Sequence, residues 1–319
     1  MKWSVSKSKT FRTCQKKWFY SDIYGAWNAR AESRREAYLL GNLQSIQAWR
    51  GSLVDKVIEK FILAKMYFDK KVPSLDETIS YSDYIIRRQL EFGKNQRFRE
   101  KGITKSNAKD DYAAFFDIEY KGEIEESKVK TAISEIHTAL TNLLNSGLLQ
   151  DLLVTPGVNL IAQRSLQIPM NGFNVVSLPD LIVFYENEPP LIIDWKVHAG
   201  RNTDYWLQLG IYAYVLHGLC STKPHKDFPE FHRNPSYKPH EIKLIEYQLL
   251  SNVQKKYDLA EEEICEIEDY IYKYGTIMST FFEDDKLDPQ NYQTAFNPSI
   301  CSWCGFQKIC WENENNAKN

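Results

Sequence analysis

Within residues 178–212 the chain sets out, in order, a Pro179-Asp180 pair, an Asp194-Trp195-Lys196 tripeptide, and Gln208 four residues before Tyr212. Side chains alternate across an extended strand, so Asp194 and Lys196 project from one face and Trp195 from the other. With Asp180 opposite on a neighbouring strand, the two carboxylates make an oxygen-rich site suited to Mg²⁺ or Mn²⁺, and they repel one another unless a cation joins them. Such a cation offsets charge on a phosphodiester and lowers the pKa of an attacking water. Lys196 would orient or help deprotonate that water and stabilise the developing charge. Gln208 and Tyr212 share one helix face, able to reach the same substrate or brace the same strand. Arg201, in the loop before that helix, is a candidate phosphate contact. Each short pattern is common by chance; what raises its weight is the order in which they follow one another.

Placing these groups requires strands joined by tight turns and followed by a helix. Strand signals begin near Val158: LIAQRSLQIPM, an Asn171-Gly172 turn, FNVVSLPDLIVFYEN, a Glu188-Pro189-Pro190 turn, then LIIDWKV. The Asn-Gly pair between extended runs is a strong hairpin cue, and three adjacent antiparallel strands are expected. A helix over Thr203–Leu216, a strand over Glu241–Leu250 and a long helix over Tyr257–Phe282 follow. Upstream, Gly41–Asp69 shows helical spacing of Leu53, Val54, Val57, Ile58, Phe61 and Ile62, with Asp55 at the edge of the apolar stripe. Residues 71–157 read as mainly helical, with segments at Thr78–Glu100 and Ser127–Ser146, and carry no catalytic constellation.

Composition bounds the partners. Forty Lys and Arg against 42 Asp and Glu give a formal charge of −2, so no global basic excess attracts phosphates and any nucleic-acid surface must be local. Near the N-terminus, Lys2, Lys7, Lys9, Arg12, Lys16 and Lys17 interleave with Trp3, Phe11, Trp18, Phe19 and Tyr20. That is either a strand-binding surface or an amphipathic helix with aromatics inward. No secretory signal and no apolar run long enough for a bilayer is present, and the expected compartment is the cytoplasm, with no membrane partner. A Gly-rich phosphate loop followed by Lys and Ser or Thr is absent, so an ATP-driven motor of that type is not supplied. The histidines, among them His198, His217, His225, His232 and His240, lack ligand spacing and read as surface or loop residues.

Pro179-Asp180, Asp194-Trp195-Lys196 and Gln208-Leu-Gly-Ile-Tyr212 together resemble the PD-(D/E)XK nuclease superfamily in its RecB-like branch. The resemblance implies an α/β fold: a mixed central sheet with a helix, three strands, helix, strand core (41–70 and 158–250), a helical insertion (71–157) and flanking helical segments (1–40 and 251–319), all one nuclease domain. It implies Asp180 and Asp194 as metal ligands with the Trp195 backbone carbonyl, Lys196 as the catalytic lysine, and Gln208 and Tyr212 on an accessory DNA-binding helix. Where that branch carries a metal-binding His after a Gly, this chain has Gly51-Ser-Leu-Val-Asp55, setting Asp55 in the ligand position. The implied activity is that of a Mg²⁺- or Mn²⁺-dependent deoxyribonuclease, exonuclease before endonuclease, on single-stranded DNA or DNA ends. Its setting would be DNA repair, recombination or anti-phage defence, with a separate helicase or defence partner for duplex ends.

Six cysteines include Cys301, Cys304 and Cys310 within ten residues, one short of a four-coordinate site. Cys14 is the natural fourth, since Cys220 and Cys265 fall on other helices. Both zinc and an iron–sulfur centre accept four thiolates. One distant N-terminal cysteine plus a C-terminal trio is similar to the iron–sulfur members of the RecB-like branch, such as the AddB nucleases and CRISPR adaptation exonucleases, which implies a structural [4Fe-4S] cluster joining the two ends. Two other functional classes stay open: a catalytically inactive nuclease-fold protein that binds DNA or assembles with partners, and a zinc-stapled scaffold.

Overall fold

The computed structural model describes residues 1–197, 205–282 and 287–316. The chain divides into two compact units, one of Met1–Val5, Arg50–Asp83 and Ile133–Thr276, the other of Ser6–Trp49, Tyr84–Ala132 and Ile277–Asn319.

The first unit holds eight strands: β1 (Lys2–Trp3), β2 (Asn159–Ala162), β3 (Leu166–Met170), β4 (Phe173–Ser177), β5 (Leu181–Tyr185), β6 (Glu188–Lys196), β7 (Lys243–Gln248) and β8 (Val253–Tyr257). They form a five-stranded sheet in the order β2-β5-β6-β7-β8 and a three-stranded sheet in the order β1-β4-β3. Near-continuous apolar runs in β5 and β6 bury both faces of those central strands, as the pattern of Leu181–Phe184 and Leu191–Trp195 requires. β6 and β7 are parallel, and between them in sequence lies the helix Trp206–Thr222 of the crossover such a pair needs. This is the mixed sheet with helices that the family resemblance implies, whereas the three adjacent antiparallel strands read from the residue patterns are divided between the two sheets.

The strand boundaries differ from expectation, and the differences have local causes. The run LIAQRSLQIPM is two strands, broken at Gln163, whose φ is +43°. FNVVSLPDLIVFYEN is also two, broken at Leu178-Pro179, because proline has no N–H for a ladder. The hairpin β3-β4, closed by Asn171 and Gly172 at φ +43° and +85°, therefore pairs with β1 in the smaller sheet while β5 turns into the larger one. Beyond β7, Asn252 at φ +54° closes a turn into the unexpected β8, and the last long helix starts later than its periodicity implies, running Glu261–Ser279.

That helix passes close to β4: a Cβ built on Gly275 would stand 2.0 Å from Phe173 Cζ, well inside contact distance. Gly275→Val is expected to destabilise the fold by about 1–3 kcal/mol through overpacking, read as a lower urea midpoint. An unchanged midpoint would show that Phe173 moves aside freely.

In the second unit the aromatics are packed inward. Phe11, Trp18, Phe19 and Tyr20 are each at most 5% exposed, and Trp18 meets Phe11, Phe281 and Phe282 edge-on. Of the two meanings of the N-terminal basic and aromatic interleaving, amphipathic burial is therefore the one realised, and these rings offer no face to nucleobases. Arg99 bridges Glu36 and Glu119, and Lys308 joins the same Glu119.

Candidate functional site

β5 and β6 bring the two aspartates together by register. The register pairs Leu181↔Ile193 and Ile182↔Ile192, carried one step further, set Asp180 opposite Asp194 on the same sheet face. One step more sets Pro179 opposite Trp195. Lys196 C=O accepts from Leu249 N–H across to β7, so the alternation of the ladder turns the backbone groups of Trp195 toward β5. There Asp180 Oδ2 takes the Trp195 N–H at 2.7 Å, and Pro179 has no N–H to offer the Trp195 carbonyl. The Pro-Asp pair thus both orients a carboxylate and leaves that carbonyl outside the ladder.

Four further groups converge on Asp194, which is 2% exposed. Lys196 is ion-paired to Asp194 Oδ2 and lies over the Tyr205 ring, 4.7 Å from its centroid. Gln208 Nε2 donates to Asp194 Oδ1 at 3.3 Å and approaches Tyr212 Oη at 2.6 Å. Asp55 comes in from the helix Ile46–Val57. Burial, then the charge of Asp194, push the Asp55 carboxyl up to about 7 against a smaller opposing pull from Lys196. Burial and the neighbouring Asp194 and Asp55 charges also hold Asp180 well above the usual carboxylate range. For Lys196, burial lowers the pKa but Asp194 and Asp180 more than offset it, and the ammonium stays charged.

Asp55, Asp180, Asp194, Lys196, Gln208 and Tyr212 are thus gathered in one place. Arg201, like His198, lies outside the described residues. Among the described residues, no three His, Cys, Asp or Glu side chains are drawn tightly enough to cage a metal ion; Lys196 acts as the counter-ion of Asp194. The donor chemistry nonetheless fits a hard cation: three carboxylates and one carbonyl, all oxygen.

Three neighbours escaped the sequence patterns. Glu246, fully buried, lies beside Asp194 in the parallel register and accepts from Gln248 Nε2 at 2.8 Å and Tyr257 Oη at 2.7 Å. Its signal was available, since Glu246 and Gln248 are polar residues two apart in an otherwise apolar strand. Arg50, 8% exposed and next to Gly51, contacts Glu135 and donates to the Val197 carbonyl just past Lys196. Tyr205 had no cue. One reading of the histidines is corrected: His232 is 2% exposed, with Nε2 2.8 Å from the Tyr185 carbonyl and Nδ1 3.0 Å from Tyr237 Oη.

In the second unit, Cys14, Cys301, Cys304 and Cys310 all border one small cavity of about 30 Å³ together with Lys17, Tyr20 and Phe306. Lys17 N–H donates to Cys14 Sγ at 3.3 Å. Burial raises the Cys304 thiol pKa, and the nearby Cys14 and Cys301 add to the shift. Tyr120 Oη holds the trio's loop through the Gly305 carbonyl at 2.6 Å. Cys220 is buried and Cys265 exposed, both in the first unit.

The raised carboxyls fix a testable sign. An Asp titrating near 3.8 unfolded and about 7 folded keeps an extra proton in the folded state between those values, so stability falls as pH rises through that window. The melting temperature of metal-free protein is expected to drop from pH 5 to pH 8, less so in Asp55→Asn, and a divalent cation at pH 8 should recover it in wild type alone. Parallel melting profiles for the two proteins would refute the assignment.

An acidic cluster on paired strands, with a lysine two residues after one acid and a helix closing over it, is the oxygen-rich, cation-suited arrangement that metal-assisted phosphodiester hydrolysis requires. The model of the PD-(D/E)XK nuclease superfamily matches residues 2–311, and the chain belongs to that superfamily. Its members are nucleases that typically use Mg²⁺ or Mn²⁺. No curated protein matches. A solved structure titled "Crystal structure of SSO0001" is similar over 72% of this chain and 96% of that chain, at 15% identity and a TM-score of 0.28, too low a score to bear on the fold. No helix among the described residues is long and apolar enough to cross a membrane.

Proposed function

We propose that this chain is a Mg²⁺- or Mn²⁺-dependent deoxyribonuclease of RecB-like type, acting on single-stranded DNA or DNA ends, with exonuclease action favoured. The observation that carries this is the convergence of Asp55, Asp180 and Asp194 with Lys196. Asp55, Asp180, Asp194 and the Trp195 carbonyl would hold the cation, which when bound supplies charge neutralisation at the phosphate and acidifies a water. Lys196, held charged by two aspartates, serves as a cation facing the developing charge rather than as a proton acceptor. Gln208 keeps Asp194 oriented and, with Tyr212, faces the substrate side; Arg201 is assigned a phosphate contact. Four cysteines around one cavity would hold a four-thiolate metal centre, and the likeness of one N-terminal cysteine plus a C-terminal trio to the iron–sulfur members of the RecB-like branch favours a [4Fe-4S] cluster over zinc.

The test is cleavage of end-labelled single- and double-stranded DNA, and of RNA, by pure protein with and without chelator. Metal-dependent shortening of single-stranded DNA is the expected result. DNA binding without cleavage in any divalent metal would instead favour an inactive binding protein, the alternative that Asp55 in the usual His position motivates.

A further inference from the structure

The helix carrying Asp55 does not stop beside the carboxylates. It continues through a π-helical stretch, Ile58–Leu63, into Ala64–Phe68. With the segment Leu152–Leu160 and strand β2 it walls a groove of about 400 Å³. Its lining includes Leu181, the residue after Asp180, and Glu59, four residues past Asp55, as well as Tyr67, Phe68 and Lys70. Tyr67 and Phe68 are 64% and 77% exposed, an unusual placement for two adjacent aromatics, and they meet edge to face at 4.9 Å. Lys70 Nζ sits 5.2 Å from the Tyr67 ring centroid and Lys65 Nζ 5.1 Å from that of Phe61, while Lys71 is exposed. Of the acids nearby, Glu59 is paired with Lys60 at 2.7 Å and Glu77 with Lys65 at 2.6 Å, and Asp69, exposed between Phe68 and Lys70 in sequence, sets one carboxylate against the two ammonium groups of Lys70 and Lys71.

We infer that this groove is a subsite for single-stranded nucleic acid, in which Tyr67 and Phe68 stack nucleobases and Lys70 and Lys71 pair with phosphates on the strand leading to Asp180. The inference rests on the nuclease reading and adds where the strand lies. Exposed rings flanked by lysines suit bases and phosphates together, whereas a purely apolar partner would leave those ammonium groups without a role. Twelve residues of helix separate Asp55 from Tyr67, about 18 Å at ~1.5 Å per residue, or on the order of five nucleotides at ~3.4 Å each. The rings therefore act on strands long enough to span that distance.

Fluorescence anisotropy of the full chain with a labelled oligothymidylate of about twelve nucleotides, Ca²⁺ replacing Mg²⁺, tests this. Tyr67→Ala and Phe68→Ala should each weaken binding at least about fivefold, while Tyr67→Phe and Phe68→Trp should bind as wild type and a trinucleotide should show no difference among them. Both rings are exposed, so unchanged melting curves are expected and establish that the variants fold. If wild type binds and cuts single strands but the alanine variants bind the longer strand equally well, the subsite is overturned and the nuclease reading stands. If an apolar peptide occupies the groove and leaves the oligonucleotide bound, the subsite is likewise overturned. If wild type neither binds nor cuts any nucleic acid, the nuclease reading itself fails.

Discussion

Lys196→Met is expected to slow metal-dependent DNA cleavage by about 10²–10³-fold, the usual loss when one preorganised charge at the reacting phosphate is removed. Asp194→Asn should be at least as damaging, because Asp194 is the proposed cation ligand and also anchors both Lys196 and Gln208. The two variants separate in a second measurement. Without the ammonium competing for Asp194, Lys196→Met should bind Mn²⁺ as well as wild type or better; without the carboxylate, Asp194→Asn should bind it far more weakly. Single-turnover cleavage and Mn²⁺ titration by calorimetry would establish both. Equal cleavage by Lys196→Met and wild type, at saturating metal, would remove the lysine from the mechanism.

Cys304→Ser is the second large effect. If a [4Fe-4S] cluster bridges Cys14 to the C-terminal trio, anaerobically purified wild type is coloured, contains iron and acid-labile sulfide, and loses all three on this substitution. A lost structural metal lies in the upper range of single-residue effects. A loss of about 4 kcal/mol corresponds to a drop in melting temperature of roughly 6 °C for a chain of this size. Limited proteolysis should then cut first within Ser6–Trp49 or after Ile277, the parts of the second unit nearest the cysteines in sequence. Colourless protein with stoichiometric zinc would replace the cluster by a zinc site, and metal-free protein with an unchanged melting temperature would remove both.

Which side chains would meet was more legible than the strands that deliver them. Asp180, Asp194 and Lys196 were readable because strand alternation fixes which side chains share a face, and that rule survives errors in strand boundaries. The sheet switch at Leu178-Pro179 was not readable, since a proline between two apolar runs is compatible with one interrupted strand or with two strands in different sheets, and only the pairing of β4 with β1 decides. β8 was hidden for a related reason: Val253–Tyr257 is mostly exposed at a sheet edge, so no apolar alternation marks it. Asp55 was legible as a polar residue at a stripe edge, whereas Tyr205 and Arg50 act through contacts made across the fold, which spacing along the chain does not encode.

The π-helical stretch Ile58–Leu63 makes the distance between carboxylates and groove a matter of phase as well as length. A π turn takes up one more residue than an α turn. Removing a single residue there would restore an ordinary α turn and leave the helix on either side in phase, so Asp55 and the Tyr67–Phe68 pair would keep their faces. Removing one from the α-helical part, Ala64–Phe68, would instead swing the residues beyond it by about 100°. The extra residue thus acts as slack, a point at which the chain can lose one residue without turning the aromatic pair away from the face that carries Asp55.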